Sequence, residues 1–90
     1  MDGKITCFCC GYKTLTEGPG EYNICPVCFW ENDGSGVINS NEPSSANNMI
    51  RLSDAQKNYL EYGVYSPDFI NKVRKHLSGE IKDKDWKPFK

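Results

Sequence analysis

The sequence predicts a small α+β domain: a short antiparallel sheet carrying two cysteine knuckles at the N-terminus, packed with two short C-terminal helices. Three observations predict it. Two Cys-x-x-Cys pairs, Cys7/Cys10 and Cys25/Cys28, stand 14 residues apart. Short β-forming runs flank each pair. Helix start and stop signals are confined to the second half of the chain.

Residues Lys4 to Thr6 read as a short strand feeding the first knuckle. Gly11 supplies the positive-φ turn that follows a knuckle cysteine, where a side chain is disfavoured. Tyr12 to Thr16 alternates and is rich in β-formers, so it reads as a strand, and Glu17-Gly18-Pro19-Gly20 as the turn after it. Glu21 to Ile24 is the strand that delivers Cys25, and Phe29-Trp30-Glu31 is a candidate third strand of the same sheet. Asn32 to Gly36 is turn-rich. Residues Val37 to Asn48, with Asn, Ser and Pro and few apolar side chains, read as a long polar loop laid across the sheet. Ser53 and Gln56 have the spacing of a capping box, and Gly63 is the stop of the helix they open. Leu52, Ala55, Tyr59, Leu60 and Tyr62 supply its apolar stripe. Ser66-Pro67 opens a second helix, with Ser66 as N-cap and Pro67 at the first position. Phe69, Ile70, Val73 and Leu77 line its face, and Ser78-Gly79 ends it. In the charged tail from Glu80 to Lys90, Trp86 and Phe89 are the apolar anchors expected to dock back on the domain.

At 90 residues this is one domain, with residues 1–36 as the ribbon, 37–50 as the polar loop and 51–90 as the helical part and tail. Chains this short bury a modest share of their surface, so a metal or disulfides commonly supplement the core. Net charge is -1 and the pI is near 5.7, which argues against a generic basic nucleic-acid binder. Met1 to Thr6 has no apolar h-region, and no stretch approaches the ~18 apolar residues of a membrane helix. A cytoplasmic protein with no membrane attachment is the expectation. In a reducing compartment paired cysteines favour metal over disulfide, and an odd count of five points the same way.

The chemistry resides in the four knuckle cysteines. Cys7, Cys10, Cys25 and Cys28 can aim their sulfurs at one centre, and zinc is the default metal for a four-thiolate tetrahedron. The net charge of such a site must be offset, and N–H groups of the knuckle loops, Gly11 and the residues after Cys28, are expected to donate to sulfur. Phe8, Tyr12, Phe29 and Trp30 are expected to shield it. Metal binding on the order of ten kcal/mol would leave the apo N-terminal half largely unfolded. Cys-x-x-Cys-Gly-Tyr with a later Cys-Pro-x-Cys also resembles rubredoxin, an iron electron carrier; the short separation of the pairs favours zinc over iron. Cys9 lies between two ligands and reads as a small thiol packed on the loop or helices, with a reactive thiol as the alternative. His76, the sole histidine, reads as a partly exposed surface residue. Lys72, Arg74 and Lys75 read as a solvated basic face. Asp33, Asp54, Asp68, Asp83 and Asp85 show no catalytic spacing, and a closed shell leaves no open position for substrate, so no enzymatic activity is expected.

At Cys7 to Leu15 (Cys-x-Cys-Cys-Gly-Tyr-x-Thr-Leu) and at Ile24 to Glu31 (Ile-Cys-Pro-Val-Cys-Phe-Trp-Glu) with Asp33-Gly34, the chain resembles the bacterial cysteine-rich CPCC family. The resemblance continues through Ala46-Asn47, the helix start from Leu52-Ser53 to Asn58, Gly63, Val73-Arg74 and Asp85-Trp86. Phe8 stands where the family has its first proline, and the proline-containing continuation after Val73-Arg74 is missing. The resemblance implies a metal-binding module with no established activity, and relatives that include accessory or immunity proteins beside secreted toxins. Three functional expectations follow: a non-catalytic, zinc-stabilised protein-interaction module of that kind; a nucleic-acid-binding zinc ribbon using Lys13, Lys72, Arg74 and Lys75 with Tyr12 or Trp30; and a rubredoxin-like electron carrier. The acidic pI and the short spacing favour the first, with another protein as partner.

Overall fold

The computed structural model describes residues 4–18, 20–34 and 41–88. Each cysteine pair sits at the turn of a hairpin. Strand β1 (Ile5–Thr6) pairs antiparallel with β2 (Lys13–Leu15), and β3 (Asn23–Ile24) with β4 (Glu31–Asn32). The two hairpins are built alike, with Thr6 opposite Lys13 as Ile24 is opposite Glu31. They are separate two-stranded sheets, so the expected third strand does not join a single sheet. The reason is length: β4 is two residues long and spends its ladder on β3. Asn23 fixes the link between the hairpins, its Oδ1 accepting from Thr16 N (2.8 Å) and Glu17 N (2.9 Å).

The expected polar loop is not featureless. Its first residues, 37–40, lie outside the described residues. From Pro43 it forms a third hairpin, β5 (Pro43–Ser44) with β6 (Ile50–Arg51), spanned by a 3-10 turn at Ser45–Asn47. Ser44 and Asn47 are buried. The Asn47 amide accepts from Glu31 N (2.7 Å) and donates to Glu31 O (2.8 Å) and Ser44 Oγ (2.8 Å), so β4 gains a side-chain partner on its open edge.

Helix α1 (Leu52–Tyr62) follows β6 directly. It begins one residue before Ser53, with Arg51 in the N-cap position and its guanidinium 3.0 Å from Asp54. It ends as expected at Gly63, whose φ of 81° lets its N–H return to Tyr59 O (2.8 Å). Leu52, Ala55 and Gln56 are buried and Tyr59 is half-buried, whereas Leu60 and Tyr62 face water. The Gln56 side chain crosses to the first knuckle and donates to Phe8 O at 2.7 Å.

The second helix is shorter than expected. Ser66 caps it as predicted, accepting from Asp68 N, but the segment Pro67–Lys72 is 3-10 and kinked at Phe69. Val73 is extended (φ -118°, ψ 166°), so Leu77 lies outside any helix. Contacts elsewhere hold this stretch. Arg74 N donates to Pro26 O (3.1 Å), and the Glu80 carboxylate takes both Arg74 guanidinium nitrogens (2.8 Å each) and Leu77 N (2.7 Å).

The tail docks as expected at Trp86; Phe89 lies outside the described residues. Lys13 N donates to Ile81 O (2.9 Å) and Asp83 N to Gly11 O (2.8 Å), which runs the tail beside β2. The core is the four knuckle sulfurs with Cys9, Leu15, Val27, Trp30, Leu52, Ala55 and Tyr65. No helix among the described residues is long and apolar enough to cross a membrane.

Candidate metal centre

The two knuckles repeat one hydrogen-bond pattern. Gly11 N donates to Cys7 O (2.7 Å) and Cys7 N to Tyr12 O (2.9 Å); Phe29 N donates to Cys25 O (2.7 Å) and Cys25 N to Trp30 O (3.0 Å). Each turn needs a left-handed residue after its second cysteine. Gly11 meets this at φ 84° at little cost, and Phe29 at φ 71° with strain. Phe29 is held there by packing, its ring 5.0 Å from Phe69, which stacks on Tyr65 at 5.5 Å.

These turns bring Cys7, Cys10, Cys25 and Cys28 together, with all four sulfurs within 4.8 Å of one another. Cys7 Sγ lies 3.5 Å from Cys28 Sγ and Cys10 Sγ 3.8 Å from Cys25 Sγ. A tetrahedron with metal–sulfur bonds of about 2.3 Å has edges of about 3.8 Å, so the donors fit a metal ion. All five cysteines are free thiols and fully buried. Without a cation the cluster ionises unevenly. Hydrogen bonds from Cys10, Cys28 and Cys7, with the Thr14 hydroxyl, hold Cys25 far below the usual thiol range, although burial opposes them. Burial pushes Cys28 up, and hydrogen bonding to Cys10 and Cys25 pushes Cys7 up. A divalent ion among the sulfurs removes this conflict by favouring the thiolate at every ligand.

The expected N–H groups go elsewhere, since Gly11 and Phe29 donate to the carbonyls of Cys7 and Cys25. Sequence reasoning missed a donor to sulfur, Thr14, buried on β2, whose hydroxyl donates to Cys25 Sγ at 3.0 Å. The alternation expected of this strand does not find it, because Thr14 and its neighbour Leu15 are both buried while Lys13 is exposed. Trp30 is buried and Phe8, Tyr12 and Phe29 are half-buried around the cluster, as expected of shielding rings. Trp86 covers the first knuckle. A Cβ on Gly11 would come within 2.6 Å of its ring, and its indole N–H donates to Phe8 O at 2.7 Å.

Cys9 stands outside the cluster. Its thiol is fully buried and donates to Ala55 O of α1 at 3.5 Å, the packed position expected of it, and burial pushes it up. His76 is exposed and stacks on Tyr12, ring centroids 4.3 Å apart, far from a ligand role. Trp30, named above as a stacking surface for bases, is 2% exposed and closed to them.

A family model described as Cysteine-rich CPCC matches residues 5–80. No curated protein and no solved structure matches the chain.

Proposed function

The chain belongs to the cysteine-rich CPCC family, and on that footing we propose that it is a non-catalytic protein-interaction module whose fold is held by a structural zinc ion. The observation that carries this reading is the closed set of four buried sulfurs at Cys7, Cys10, Cys25 and Cys28. Four thiolates complete a tetrahedron and leave no position for water or substrate. Zinc suits the set because it binds thiolates tetrahedrally and needs no redox partner.

Support for a protein partner comes from the surface. Leu60, Ile70 and Ile81 are 61, 51 and 65% exposed, on an acidic chain with one concentrated basic segment. The finer form of the reading is a cytoplasmic accessory or immunity-type partner of a bacterial toxin, and its support is the family resemblance alone.

Elemental analysis of protein purified without chelator tests the core of it. The expected result is a colourless protein with one zinc per chain that unfolds when a strong chelator strips the metal. A red protein containing iron, or a folded protein with no metal, refutes the reading.

A further inference from the structure

Beside the sulfur cluster lies a cleft of about 490 Å³. Its floor is Val27 from the second knuckle, Tyr59 from α1 and Val73; its rim is Arg74, Lys75 and His76. The rim is fixed, because Arg74 N is tied to Pro26 O (3.1 Å) and the Arg74 guanidinium to Glu80. The Glu80 carboxylate offsets Arg74. Lys75 has no carboxylate partner among the described residues. The cleft therefore joins an apolar floor to an uncompensated cationic edge, in a chain whose net charge is -1.

A nucleic-acid strand would need open aromatic faces for its bases. The Tyr12 ring has His76 on one face and the Lys82 ammonium 5.0 Å from its centre. That same ammonium is 4.8 Å from the Trp86 ring, whose edge packs on Gly11. Both platforms are already occupied by the protein's own side chains, Lys82 on both and His76 on Tyr12. The chemistry that fits is one apolar side chain on the floor, flanked by carboxylates at the rim.

Building on the interaction-module reading, we infer that this cleft receives an acidic segment of a protein partner: an aliphatic side chain against Val27, Tyr59 and Val73, with neighbouring carboxylates on Lys75 and His76.

The probe is a fluorescein-labelled Glu-Asp-Leu-Glu-Asp peptide, followed by anisotropy against the zinc-loaded full chain. Binding is expected, weakening with added salt. It should fall about tenfold when the peptide leucine becomes serine, and about five- to tenfold in Lys75→Glu. On the unaltered protein, NMR should place the peptide-induced shifts at Val73, Lys75 and His76. The inference is overturned by unchanged affinity in Lys75→Glu, by shifts confined to another face, or by a thymidine oligonucleotide binding in place of the peptide. Zinc content measured on the same samples keeps the two readings apart. Zinc-loaded protein that ignores the peptide overturns the cleft alone, whereas folded zinc-free protein overturns the structural-zinc reading whatever the peptide does.

Discussion

Thr14 shows how one hydroxyl bears on the sulfur cluster. Its donation to Cys25 Sγ at 3.0 Å favours the thiolate that a metal requires. Thr14→Val keeps the shape and removes the donor. It should lower zinc affinity by about tenfold, measured by competition with a chromophoric chelator. Glu80 is the second such residue. The Arg74 guanidinium, helped by Leu77 N–H, holds its carboxyl below the usual 4.5 against the cost of burial. Folding thus favours the ionised form. The stabilisation is fully present above about pH 4.5 and is lost as pH falls through the lower folded value. Glu80→Gln should be less stable at neutral pH, and its urea midpoint should depend less on pH below 4.5 than that of the unaltered protein. Neither partner of these contacts was legible in the sequence. Thr14 reads as an ordinary strand residue, and nothing in the spacing of Arg74 and Glu80 identifies an ion pair once the helix between them is assumed.

The knuckle hairpins were legible almost whole, because Cys-x-x-Cys with Gly11 or Pro26 allows few backbone paths. The helix Leu52–Tyr62 was legible in its glycine stop and in the buried Leu52 and Ala55, although Leu60 and Tyr62 of the expected stripe face water and Arg51, not Ser53, is its N-cap. What went unread were elements made by long-range contact. Residues 43–51 form a hairpin because Asn47 satisfies both backbone groups of Glu31, and local composition, rich in Ser and Asn, suggests only a loop. The segment after Lys72 has helical spacing yet is extended, because Pro26 and Glu80 capture its backbone and side chains. Asn47→Ala should therefore cost about 1–3 kcal/mol in denaturant unfolding, since it removes a buried amide and leaves the part-buried N–H and carbonyl of Glu31 without it. A loss below about 0.5 kcal/mol would mean that the third hairpin holds β4 by other means.

At the scale of the whole molecule, β1 and the segment from Ile81 to Trp86 converge on the first knuckle. Thr6 Oγ1 donates to Asp83 at 2.6 Å, and the tail bridges Tyr12 at Lys82. Gly11→Ala should eject Trp86, because its Cβ would lie 2.6 Å from two ring carbons in a left-handed turn. The expected loss is about 2–3 kcal/mol, with a red shift of tryptophan emission as the indole meets water. A stable variant with unshifted emission would show that the ring is not seated there. The carbonyl of Phe8 accepts two donors at once, Gln56 from α1 and the Trp86 indole from the tail, each at 2.7 Å. That single oxygen makes residues 4–34 a poor candidate for excision as an autonomous miniature. Such a fragment would keep all five cysteines yet lose the clasp on its outer loop, and would yield an added metal ion to a competitor faster than the intact polypeptide does.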